Sequence, residues 1–200
     1  LLSSKDAALL QLRPHLVLDG AQALARMVRA QRVVVWLHRG ADASVTSMQR
    51  ACDEREQDPR YRDDLPVRIM LGPARYLTGE ASSVIAGVRG EPVIPKFIEN
   101  PAMPWVDGAP VLVHNAETVA RVGLLDAKGI RFEATSLITL SLHTHRIVME
   151  VTPETTFGGI LRANRVPAPE YVLLGGYGGE WVAWSKLEPA TPDPHLMRER

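Results

Sequence analysis

Two short stretches of the chain bring together residue types that can do chemistry. Tyr76-Leu77-Thr78-Gly79-Glu80 sets an aromatic ring and a carboxylate around a glycine. Val113-His114-Asn115-Ala116-Glu117-Thr118 places polar side chains directly behind the apolar Val111-Leu112-Val113. The first stretch falls where a helix begins after a strand, and open α/β sheets bind ligands at such edges. Each also has a plainer role, because Glu80 suits a helix N-terminus and Asn115 to Thr118 reads as a helix cap. Three further features carry less. His143-x-His145 offers two imidazoles to a metal, but two ligands do not make a site, and a solvated turn is the reading. Gly175 to Gly179 lets backbone approach a phosphate, yet no helix N-terminus comes directly after it, so it reads as a glycine-rich turn. Cys52 sits among Asp53, Glu54 and Glu56, which disfavours a thiolate. No G-x-S-x-G elbow, Walker loop or G-x-G-x-x-G fingerprint is found.

The elements that must position these residues alternate at first. Lys5-Asp6 lead into a short helix, and Pro14 suits the first turn of a second. Val17, Ala21, Leu24 and Val28 recur at helical spacing and predict its buried stripe. Val33 to Leu37 is a continuous apolar run, typical of a parallel strand covered on both faces. A polar helix over 42–57, a strand over Val67 to Leu71 and a helix over 76–88 come next. This order argues a small α/β layer with parallel strands. Five prolines between Arg89 and Pro110 mark a connector, and a domain boundary is expected between about 119 and 134. Beyond it, Ser136 to Leu142 and Ile147 to Val151 alternate as a hairpin. Thr155-Thr156 cap a helix over Phe157 to Leu161, and Tyr171 to Leu174 is a further strand. That order suggests a small β-grasp module.

Composition narrows the function class. Lys+Arg and Asp+Glu both count 23, so no global basic field recruits nucleic acid or anionic lipid. The longest apolar run, Val33 to Leu37, is far too short to cross a bilayer. With one cysteine, the chain cannot by itself complete a disulfide or an iron–sulfur site.

In their order, these motifs resemble the flavin-bearing, NADH-oxidising subunit of respiratory complex I and its diaphorase relatives. The resemblance rests on Lys5-Asp6, Pro14-His15-Leu16, the Tyr76 to Glu80 stretch, and Gly108, Pro110, Asn115, Glu117 and Thr118. The last part resembles the soluble-ligand-binding β-grasp (SLBB) module of the same family, down to Gly175-Gly176 and Trp181. The resemblance implies an α/β fold: a small Rossmann-like FMN-domain portion over 1–120, with a Pro-rich connector at 89–110. An SLBB-type β-grasp domain over 135–188 and the start of a truncated segment over 189–200 would come after it. It further implies that Tyr76, Gly79 and Glu80 line a flavin and nicotinamide pocket, with Glu80 the catalytic residue. Asn115 and Thr118 would contact the FMN ribityl or phosphate groups. NADH would be the substrate, and electrons would pass to a 4Fe-4S cluster whose cysteines are not in this chain.

Expected partners are other electron-transfer subunits or a ferredoxin-like acceptor, with no nucleic acid and no direct membrane span. The expected location is cytoplasmic, peripheral to the inner membrane through partner subunits. The chain reads as a piece of something longer, the family's glycine-rich FMN loop being expected upstream of Leu1 and its four-cysteine motif downstream of Arg200. Three positions depart from the family pattern: Ala81 stands for a second Glu, His114 for an Asn, and Asn100 for a Phe. These departures motivate the alternative, a non-catalytic SLBB-type binding or assembly module with a degenerate NADH site.

Overall fold

Val33–His38 (β1) and Val67–Gly72 (β2) form a parallel pair in register from Val33 opposite Val67 to His38 opposite Gly72. In this computed structural model the described residues are 3–97, 105, 106, 108–128 and 135–192. The chain divides into two units, Asp6–Phe132 and Leu1–Lys5 with Glu133–Arg200.

In the first unit, Lys5–Leu12 (α1) and Pro14–Met27 (α2) precede β1, and Asp42–Glu56 (α3) crosses from β1 to β2. Pro14 occupies the first turn of α2, where its missing N–H breaks no intrahelical bond. Ala81–Val88 (α4) comes after β2, then a short antiparallel pair, Trp105–Val106 (β3) and Ala109–Pro110 (β4), and last Ala116–Lys128 (α5). Leu18, Met48, Ala51 and Ala120 lie at the centre of the apolar cluster, so α2, α3 and α5 share one core.

Two sequence expectations are corrected here. The buried face of α2 is Val17, Leu18, Gln22 and Ala25, while Val28 is exposed beyond the helix end. The stripe turns because α5 closes on Gly20, where a Cβ would overlap the Val119 carbonyl. β1 is not covered on both faces: only Leu37 is fully buried. A two-stranded sheet consists of edges alone, so among the described residues no further strand shields either member.

Arg55, at the end of α3, ties this unit together although only 6% of it is exposed. Its guanidinium donates to the His15 carbonyl at 2.7 Å, to Asp64 at 2.9 Å and to Asp19, and lies 4.2 Å from the Tyr61 ring centre. The Gln22 amide pairs both ways with the Leu65 backbone, at 2.9 and 2.8 Å.

The second unit opens with the antiparallel hairpin Ser136–Ser141 (β5) and Arg146–Val151 (β6). Phe157–Ala163 (α6) starts at Thr156, whose hydroxyl accepts from the Gly159 amide. A second hairpin, Tyr171–Leu174 (β7) and Glu180–Ala183 (β8), runs into Trp184–Leu187 (α7). Leu161, Val182, Trp184 and Leu187 make its core. Among the described residues the two hairpins are separate two-stranded ladders. The glycines between β7 and β8 serve the turn: Gly175 and Gly176 take positive φ, and a Cβ on Gly179 would strike the Leu174 carbonyl.

Candidate functional site

The stretch from Tyr76 to Glu80 does not continue as one helix into α4. Tyr76–Gly79 is a single 3-10 turn, Glu80 is extended, and α4 begins at Ala81. Glu80 is the N-cap residue of α4: its carboxylate accepts from the Ser83 amide at 3.1 Å and from the Ser82 hydroxyl. The Ser82 oxygen in turn accepts from the Lys96 amide at 2.9 Å, which brings the Pro-rich connector to this helix end. The bond from the Ser82 hydroxyl, with the Ser82 and Ser83 amides, holds the Glu80 carboxyl below its ordinary value against a smaller opposing effect of burial. Glu80 is therefore an anion at neutral pH, a hydrogen-bond acceptor rather than a proton donor.

Tyr76 lies 58% exposed on the same turn. A Cβ placed on Gly79 would meet nothing within 4 Å, so the space beside the turn is open. The turn is pinned from below: the Trp36 indole N–H donates to the Thr78 carbonyl at 3.1 Å, and the Thr78 hydroxyl donates to Pro73 at 2.6 Å.

Asn115 and Thr118 stand at the start of α5. The Asn115 side-chain oxygen accepts from the Thr118 amide at 2.9 Å, and Asp6 accepts from the Glu117 amide at 2.9 Å. Both first-turn amides thus have partners, and Arg121 pairs with Glu117 one turn on. The structure brings Tyr76, Gly79 and Glu80 together on one turn and Asn115 with Thr118 on another. The two groups cap different helices, α4 and α5.

The other chemical candidates have local roles. His143 and His145 are exposed on the β5–β6 turn, where His145 contacts the Thr144 hydroxyl. No group of three or more metal-ligating side chains occurs among the described residues. Burial first, and Asp53 second, push the Cys52 thiol up, so burial rather than the acidic neighbours leads. Sequence reasoning missed a cleft of about 210 Å³ bordered by Gln22, Arg26, Arg55, Tyr61 and Asp126. Its residues come from four separate stretches, and no spacing in the chain announces them.

These caps and turns lie inside a recognised sequence family. The family described as the Nuo51 FMN-binding domain matches residues 2–124. The chain belongs to this family.

The F subunit of NADH-quinone oxidoreductase from Escherichia coli (strain K12) is 25% identical over 138 residues, which cover 64% of this chain and 31% of that protein. Its counterpart in Salmonella typhimurium (strain LT2) is 26% identical over 136 residues, with the same coverage. The chain thus spans about a third of the length of the curated relatives it matches. Among solved structures, an NAD+-reducing [NiFe]-hydrogenase in the H2-reduced state matches 95% of this chain and 34% of its own, with TM-score 0.78 and 21% identity. Its air-oxidised state gives TM-score 0.77 over 98% of this chain. At these identities the likeness is one of fold, and it is α/β, in agreement with the parallel β1–β2 pair. No helix among the described residues is long and apolar enough to cross a membrane.

Proposed function

We propose that this chain is part of an NADH-oxidising, FMN-binding subunit of a complex I-like enzyme, working beside other electron-transfer subunits. The observation that carries this reading is the match of the FMN-binding family over residues 2–124. The residues present suit the ring-bearing part of FMN: Tyr76 is an exposed aromatic side chain and the space beside Gly79 is open. When bound, FMN supplies the means to take a hydride from NADH and release electrons one at a time to iron–sulfur clusters.

The chain's own residues would orient that group and exclude water. Tyr76 and Gly79 would line its face, and the anionic Glu80 would accept a hydrogen bond at the edge of the pocket. Because the Glu117 and Thr118 amides are engaged, contact with ribityl or phosphate groups would come from the Asn115 and Thr118 side chains. The SLBB-type domain over 135–188 belongs to the same proposal, as does a location peripheral to a membrane through partners.

The test is an absorption spectrum of the full-length protein that contains this chain, before and after anaerobic NADH. A flavin band that bleaches supports the reading, and Asn115→Ala should then weaken FMN retention. A flavin band indifferent to NADH refutes NADH as the donor. One observation favours a second reading, a binding or assembly module without catalysis: Glu80 and Asn115, two of the polar side chains at issue, both serve as helix caps. Folded protein with no flavin would establish that alternative.

A further inference from the structure

We propose that Trp36 is the positioning residue for the Tyr76–Glu80 turn, and that the glycines at 72 and 87 exist to admit its ring. A lone 3-10 turn is marginal, since its i to i+3 bonds are poorly aligned. Here they are the Thr78 amide to Arg75 at 3.3 Å and the Glu80 amide to Leu77 at 3.2 Å. A tertiary contact must therefore select its conformation. Trp36 supplies one from β1, by donating its indole N–H to the partly buried Thr78 carbonyl at 3.1 Å.

The ring reaches that carbonyl through a slot with bare backbone on both sides. A Cβ on Gly72, at the end of β2, would stand 2.8 Å from the indole Cε2. A Cβ on Gly87, in α4, would stand 2.8 Å from its Cζ3. Real Cβ atoms do not approach so closely, so either alanine would drive the ring out. One side chain thus touches the strand before the turn, the turn itself and the helix after it. Removing the donor leaves the Thr78 carbonyl short of a partner in a partly buried place. The hold on the turn rests on this geometry alone; its meaning for a ligand rests on the flavin reading above.

Two variants of the full-length protein separate the parts of the device. Trp36→Phe keeps an aromatic ring and loses the N–H, whereas Gly87→Ala keeps the N–H and blocks the slot. Leu37→Ala, the next residue on the same strand and buried in the core, controls for general destabilisation. Amide hydrogen exchange at Thr78 and Glu80 and the dissociation constant of added FMN are measured for all three. Both device variants should speed exchange at these amides about tenfold relative to β1 amides and weaken FMN about tenfold. Leu37→Ala should lower the melting temperature while leaving the turn-to-strand exchange ratio and FMN affinity unchanged. Turn protection equal to wild type in both device variants would overturn the proposal, as would the same selective loss in Leu37→Ala. Should the wild type take up no FMN, the flavin reading falls by itself, and the exchange ratios still decide whether Trp36 holds the turn.

Discussion

Glu80 is where two roles meet on one side chain. As a cap it satisfies the Ser83 amide and the Ser82 hydroxyl; in the role proposed for it in catalysis it would face a ligand. The roles separate by pH. Its carboxyl titrates below the usual value in the folded chain, so the stability it adds is present above the unfolded glutamate value of about 4.3. That stability is lost as pH falls through the lower folded value. Because the group is exposed, water screens the effect to at most about 1 kcal/mol. Melting temperatures of Glu80→Gln and wild type should therefore differ near pH 7 and converge as pH falls below the lowered folded value. If Glu80 also serves the reaction, Glu80→Gln bleaches flavin more slowly with NADH even where both proteins are fully folded. Equal melting at every pH would show that the charge of Glu80 adds nothing to the cap.

At the level of elements, the contact that decides most is the crossing of α2 and α5. A Cβ on Gly20 would stand 2.8 Å from the Gly123 amide and overlap the Val119 carbonyl, while one on Gly123 would stand 3.0 Å from the Gly20 amide. Backbones meet directly, and α5 carries Asn115 and Thr118 on its first turn. In an exposed helix, Gly→Ala gains about 1 kcal/mol from propensity. Here the overlap is with backbone, which cannot step aside, and overpacking costs about 1–3 kcal/mol. Gly20→Ala should thus destabilise on balance and lower the midpoint of urea unfolding. A raised midpoint would mean that the helices do not meet there. Much at this scale was legible in the chain. Pro14 opens α2 and Thr156 caps α6, because both signals act within one turn. β8 was not legible: Glu180 to Ala183 has four residues and owes its strand state to pairing with β7. The β3–β4 pair lies inside the Pro-rich connector and was not legible either, because two residues per strand show no alternation.

On the scale of the whole molecule, the described residues form two apolar clusters without shared members, one around Leu18 and Met48 and one around Val182 and Leu187. Substitutions in clusters that share no partners should act independently. Met48→Ala, fully buried, should cost about 2–5 kcal/mol and speed exchange of amides within 6–128. Amides of 136–187 should keep their protection. Loss of protection in both regions together would show a single cooperative unit. The family match, over residues 2–124, falls almost entirely on the unit Asp6–Phe132, so the flavin proposal and the SLBB proposal can fail separately.

The sequence by itself determined much of the local chemistry: most of the helical segments, where α2 and α6 start, that β1 and β2 lie parallel, and which family the motif order belongs to. These properties come from periodicity, capping residues and apolar runs, which act over a few residues. The caps at Glu80 and Asn115 were legible too, since the amides they accept from lie three residues on. Only the tertiary structure decided the distant partners: the Glu117 amide donates to Asp6, and the Lys96 amide to Ser82. Gly20, Gly72, Gly87 and Gly123 are needed because distant backbone or an indole occupies the space of a side chain. Trp36 bears on the Tyr76 turn although 40 residues separate them in the chain. Such contacts depend on how packed elements meet, and no spacing along the chain encodes them.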